Sequence, residues 1–222
     1  MANEGSAPGA PRAVERSPEG PGLDRVRLVT EGGAIPGRLH PAPGDGAILW
    51  VFGSGGGLGG PAGGVYTRVG GRFRAREVTS LELDYRDPGD LRSCVADVLV
   101  GLHYLEGLGA GRVALVGHSF GGAVVINAGA ISPLVVAVAA LSSQTAGTAA
   151  VGSLSPKPLL LVHGEADEVL PDRCSRSIHA RAGEPKEIVL YPGCRHGLDE
   201  CRESLDRDLT RWLEGVLGLA SP

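Results

Sequence analysis

Arg112-Val113-Ala114-Leu115-Val116-Gly117-His118-Ser119-Phe120-Gly121-Gly122 is the stretch on which the reading of this chain turns. It opens as a short apolar run ending in glycine, the pattern of a strand buried on both faces. From Phe120 to Ala130 small side chains dominate, which suits a helix packed close against a sheet. Between the two lies G-x-S-x-G. Glycines two positions either side of Ser119 leave room for a tight strand–helix turn that a Cβ would crowd. Such a turn presents the serine hydroxyl over a helix N-terminus, where exposed N–H groups favour negative charge. Ser119 is therefore the candidate nucleophile.

Strand and helix patterns alternate on both sides of this stretch. Upstream, residues 25–30 and 34–40 read as a hairpin joined by Glu31, Gly32 and Gly33. Residues 46–52 read as a buried strand. Val65, Val69 and Phe73 mark a helix weakened by Gly70 and Gly71, and residues 78–85 are a further strand. Asp90 is placed to N-cap an amphipathic helix carrying Leu91, Val95, Val98, Leu99, Leu102 and Leu105 on one face. Downstream come strands at 134–141 and 158–163, a helix near 172–182 and a strand at 187–191. The last helix carries Leu205, Leu209, Trp212, Leu213 and Val216. The alternation predicts an α/β fold, a mostly parallel twisted sheet of about seven or eight strands with helices on both faces. In such sheets small-molecule sites lie at the carboxyl ends of the strands. The segments to inspect follow Phe52, Tyr85, Gly117, Leu141, His163 and Tyr191.

Composition narrows the function. At 222 residues, 42% apolar and 21% charged, the chain suits one globular domain. Twenty-one basic against 25 acidic side chains leave a net charge of −4, so no broad basic surface is expected for nucleic acid or anionic lipid. The longest aliphatic run, 134–141, falls far short of the roughly 20 residues of a membrane span. Residues 1–22 are rich in Pro and Gly and poor in apolar side chains, and are expected to be a disordered tail. Residues 23–219 form the single domain. Residues 1–22 hold no apolar core of the kind a secretory leader needs, which points to the cytoplasm as the expected location. Cys94, Cys174, Cys194 and Cys201 match no zinc spacing. Four thiols in a reducing compartment is the simple expectation, with pairing of Cys194 and Cys201 left open by their proximity.

A serine hydroxyl needs a base beside it. Of His40, His103, His118, His163, His179 and His196, only His196 follows the final strand in a loop before the last helix. His118 adjoins the serine, but its side chain is expected to point away. His103 and His179 lie within helical patterns. The carboxylate that orients the base is expected to be Asp167, after the penultimate strand, with Glu165 its rival and Glu168 a solvated neighbour. The chain order Ser119, Asp167, His196 is the one expected when a G-x-S-x-G serine sits on an α/β sheet. Acyl transfer also needs donors for a developing oxyanion, each worth about 3–4 kcal/mol. The Phe120 N–H is one. Ser54 N–H, in the glycine-rich loop 53–60, is the second, with Gly55 next. Tyr66, Tyr85, Arg86, Ser143 and Gln144 are candidates for the rim of the site.

Three segments, 117–122 (GHSFGG), 163–171 (HGEADEVLP) and 193–197 (GCRHG), make residues 25–217 resemble the α/β-hydrolase superfamily. The resemblance implies Ser119 as nucleophile, His196 as base and Asp167 as acid. Two departures stand out. Phe52 occupies the place of a histidine that often opens the loop after the family's third strand. Only residues 142–157 separate two late strands, too few for the helical cap many members carry. The chain is thus similar to small uncapped members, dienelactone-hydrolase-like proteins and compact serine esterases. Dienelactone hydrolases use a cysteine nucleophile, so Ser119 argues against that particular activity. The expectation is a serine hydrolase of carboxylic esters or thioesters working through an acyl-enzyme on a small-molecule acyl substrate. It needs no metal or organic cofactor, and its oligomeric state is open. The alternatives are a binding or regulatory module without turnover, and an acyltransferase or lyase using the same residues. Residues 55–60 also satisfy G-x-G-x-x-G, with Glu82 or Asp84 about 20 residues on. A dinucleotide site is set aside because Pro61, Ala62, Gly63 and Gly64 prolong the loop where a helix should open.

Overall fold

The computed structural model describes residues 9–219. In it nine strands form one mixed sheet: β1 (Ala13–Gly20), β2 (Leu23–Thr30), β3 (Gly33–His40), β4 (Gly46–Val51), β5 (Thr79–Leu83), β6 (Arg112–His118), β7 (Val135–Leu141), β8 (Leu159–Gly164) and β9 (Lys186–Tyr191). Their order is β1-β2-β3-β5-β4-β6-β7-β8-β9. β1, β2, β3 and β5 pair antiparallel in turn, and every later neighbouring pair is parallel. Five helices cover the sheet: α1 (Pro61–Arg74), α2 (Leu91–Gly107), α3 (Phe120–Ile131), α4 (Arg173–Arg181) and α5 (Arg202–Val216).

The inner strands are apolar throughout because both of their faces are covered. Leu49 and Leu115 point into a core with α2 and α3. Their chain neighbours Ile48, Trp50, Ala114 and Val116 point into a second core with α1 and α5. Asp90 caps α2 as its sequence suggests, accepting from Ser93 N at 2.7 Å. The glycine inside α1 has a packing reason: a Cβ on Gly70 would lie 2.2 Å from Ser80 Oγ, so the helix seats on β5 only without a side chain there. Between β7 and β8 the described chain forms only a 3₁₀ segment, Ala149–Leu154, and no cap rises over the sheet.

Two expectations are corrected. The sheet has nine strands rather than seven or eight, and the domain begins before residue 23. Residues 13–20, expected to be tail, form β1, whereas residues 1–8 of that predicted tail lie outside the described residues. All eight residues of β1 are exposed, so no hydrophobic pattern could reveal it. Its ladder with β2 and the cross-strand pairs Glu15–Arg27, Arg16–Asp24 and Glu19–Arg25 hold it instead. Charged side chains along an exposed edge also discourage it from templating other chains.

Candidate active site

Ser119 lies where β6 gives way to α3, with φ 57° and ψ −121°. A non-glycine residue at positive φ is strained, and the surroundings hold it there. Ser119 N donates to Leu141 O at 2.8 Å, and Gly122 N donates to Ser119 O at 3.0 Å. The flanking glycines are demanded by contact. A Cβ on Gly117 would lie 2.1 Å from Gly121 O, and one on Gly121 would lie 2.2 Å from Phe52 O. The turn is thus pressed between its own helix and the end of β4.

Asp167 and His196 meet across 29 residues of sequence, His196 Nδ1 donating to Asp167 Oδ2 at 2.8 Å. That donation leaves Nε2 of the neutral ring with its lone pair. The Asp167 carboxylate has no exposed surface. Its Oδ1 accepts from Val169 N (2.9 Å) and Leu170 N (2.8 Å). Burial raises its pKa, but the hydrogen bonds from His196, Leu170 and Val169 outweigh burial and hold the carboxyl below its ordinary value. The rival Glu165 is exposed and faces Arg176. Among the described residues no hydrogen bond joins Ser119 Oγ to His196 Nε2. The serine's segment and the histidine's meet through His118, whose Nε2 donates to His196 O at 2.9 Å.

Two buried histidines that sequence reasoning left without a role surround this pair. His163 Nδ1 accepts from Ser175 Oγ (2.7 Å), while its Nε2 lies 2.8 Å from Leu170 O and 3.1 Å from Asp167 Oδ2. It braces the carboxylate from behind. His118 does point away from Ser119, into the loop that carries His196, and burial pushes its pKa down to about 4. Its adjacency to the serine was visible in the sequence; its partner 78 residues away was not.

The loop 53–60 opens against the serine, since a Cβ on Gly53 would lie 3.5 Å from Ser119 Cβ. Ser54 and Gly55 N–H make no hydrogen bond among the described residues and are free to donate. Farther along, the loop is tethered: Gly57 N donates to Asp84 Oδ1 at 2.7 Å and Gly59 N to Glu82 Oε2 at 2.6 Å. The sequence had suggested these carboxylates only as ribose ligands; they face the loop's own backbone. Behind the loop Ala62, Gly63 and Gly64 take φ of 51°, 61° and 90°, so no regular helix N-terminus follows the third glycine to receive a phosphate.

The rim expectations change as well. Tyr66 and Tyr85 are buried and donate to Val51 O and Phe52 O, bracing the end of β4 rather than facing substrate. Arg86 is committed to buried Asp97 and to Thr30. Ser143 is fully buried beneath α3, and Gln144 is half-buried. The expectation of four free thiols is also overturned: Cys194 and Cys201 form a disulfide, with His196 inside the closed loop, and only Cys94 and Cys174 are free. This bridge removes the thiol pair from any argument for a reducing compartment.

Comparison with known proteins agrees with this fold. The protein YfhR of Escherichia coli strain K12, itself uncharacterised, is 41% identical over 56 residues, 25% of this chain and 20% of YfhR. The matched part thus spans about a fifth of the length of such curated relatives. The α/β hydrolase GrgF from Penicillium sp. sh18 superposes with a TM-score of 0.72 at 17% identity, covering 89% of this chain and 99% of GrgF. Est1E from Butyrivibrio proteoclasticus gives 0.73 at 17% identity, covering 87% of this chain and 99% of Est1E. Residues 65–209, which hold Ser119, Asp167 and His196, match the dienelactone hydrolase family, and the chain belongs to that family.

Proposed function

We propose that this protein is a serine hydrolase that cleaves carboxylic esters or thioesters through an acyl-enzyme. Family membership supports a hydrolase. The observation that carries the finer reading is the His196–Asp167 hydrogen bond, which leaves the imidazole basic at Nε2 on the loop bonded to the serine's own turn. In this reading Ser119 Oγ attacks the acyl carbon and His196 Nε2 takes its proton. Asp167 stabilises the imidazolium, and the N–H groups of Phe120 and Ser54 receive the oxyanion. The imidazolium then protonates the leaving alcohol or thiol. Water, deprotonated by His196 in turn, attacks the acyl-enzyme and releases the acid. Hydrogen bonds of this kind are often long in free enzymes and tighten with substrate, which fits the open Ser119–His196 approach. No step needs a metal or an organic cofactor.

A fluorophosphonate tests the reading directly. It should label Ser119 stoichiometrically, and Ser119→Ala should lose both label and p-nitrophenyl acetate hydrolysis. Full activity in Ser119→Ala would overturn the nucleophile. An acyl panel of acetate, butyrate, octanoate and a CoA thioester then separates ester from thioester preference.

A further inference from the structure

An imidazole buried with a ring nitrogen unpartnered costs about 1–3 kcal/mol, so its presence asks for a reason. His118 is such a group: 4% exposed, with Nδ1 unpartnered among the described residues. Its one hydrogen bond runs from Nε2 to His196 O. A carbonyl only accepts, so Nε2 carries the proton and Nδ1 is bare. Otherwise the ring packs between Phe52, with centroids 5.2 Å apart, and His196, at 4.8 Å. A phenyl ring would fill that space without desolvating a polar nitrogen. What it would lack is the donor.

We infer that His118 is a positioning residue, tying the loop that carries His196 to the turn that carries Ser119 through its Nε2–H bond to the His196 backbone. The inference rests on the serine-hydrolase reading above. The other anchors of the loop lead elsewhere. Cys194 O accepts from Ala166 N at 3.0 Å, next to Asp167, and Gly197 O accepts from Ala62 N at 2.7 Å, at the start of α1. The disulfide closes the loop on itself. Among the described residues the His118 bond is the only hydrogen bond between the turn 117–122 and the loop 192–200. His196 is thus gripped by Asp167 at its ring and by His118 at its carbonyl, one hold from each segment it must serve. A reacting group misplaced by about 1 Å can cost on the order of a hundredfold in rate.

Two substitutions separate the donor from the ring. His118→Phe keeps the shape and removes the N–H; His118→Gln gives up the ring and returns an N–H at similar reach. With p-nitrophenyl acetate, His118→Phe should lower kcat on the order of tenfold to a hundredfold at unchanged KM, and His118→Gln should recover most of it. Amide hydrogen exchange at Leu198, Ala62 and Ala166, whose N–H groups bond within or to this loop, should quicken in the Phe variant and return towards wild type in the Gln variant. Wild-type kcat and exchange in His118→Phe, or equal losses in both variants, would overturn the inference while leaving the hydrolase reading intact. A wild-type protein that neither hydrolyses esters nor takes the phosphonate label brings down both.

Discussion

Asp167 shows how much one side chain is asked to do. Its Oδ1 takes two backbone N–H groups, and its Oδ2 faces Nδ1 of His196 and Nε2 of His163. An amide cannot replace it. In Asp167→Asn one end must still accept from Val169 and Leu170, which turns the NH₂ towards two ring N–H donors. The nearest escape is for His196 to move its proton to Nε2, the atom that must be basic. Asp167→Asn should therefore reduce kcat on the order of 10³- to 10⁴-fold with the fold intact, measured by ester hydrolysis alongside circular dichroism. A loss under tenfold would show that His196 does not depend on this carboxylate. Glu165 offers no rescue, because it faces Arg176 in solvent.

Among the elements, the loop between β9 and α5 carries a covalent constraint. The Cys194–Cys201 bridge, spanning seven positions, closes it around His196. Constraining so short a loop in the unfolded chain gives about 2–3 kcal/mol. Reduction, or Cys201→Ala, should lower the urea midpoint accordingly, and coincident midpoints with and without dithiothreitol would exclude a stabilising bridge. Of the two free thiols, Cys94 is buried and its pKa is pushed up to about 11, which keeps it unreactive. The glycine-rich loop after β4 is the opposite case, short of side chains and held by Asp84 and Glu82. Asp84→Ala frees Gly57 N and should slow acyl-enzyme formation severalfold while leaving substrate binding nearly unchanged, read as a kcat change at constant KM.

Across the molecule as one cooperative unit, the buried histidine makes stability depend on pH. His118 binds a proton in the unfolded chain near pH 6.5 but in the folded protein only near pH 4. Between those values unfolding takes up a proton, so the stabilisation is complete above about pH 6.5 and is lost as the pH falls towards 4. The full difference amounts to about 3 kcal/mol. Asp167, its pKa held down, adds a contribution that is lost at still lower pH as the carboxylate protonates. The titratable groups whose charges act on His118 are His196, Asp167 and His163. Melting temperature measured from pH 7 to 4 should fall less steeply in His118→Phe than in wild type. Parallel curves would mean that His118 titrates normally.

What could be read without coordinates follows from local rules. β4, β6, β7 and β8 are buried on both faces, so they appear as unbroken apolar runs, and the carboxyl ends of β6 and β8 lead to Ser119 and Asp167, while His196 follows the partly buried β9. The tight turn at Ser119 shows itself through Gly117 and Gly121, since close backbone approach leaves room for no other residue. β1 carried no such mark, because its stability comes from a backbone ladder and cross-strand charge pairs rather than burial. The disulfide, the bracing of Asp167 by His163, the tethering of the glycine loop by Glu82 and Asp84, and the grip of His118 on the base loop were decided only by tertiary contact. Each depends on which donor meets which acceptor across tens of residues, and residue spacing along a chain carries no record of that.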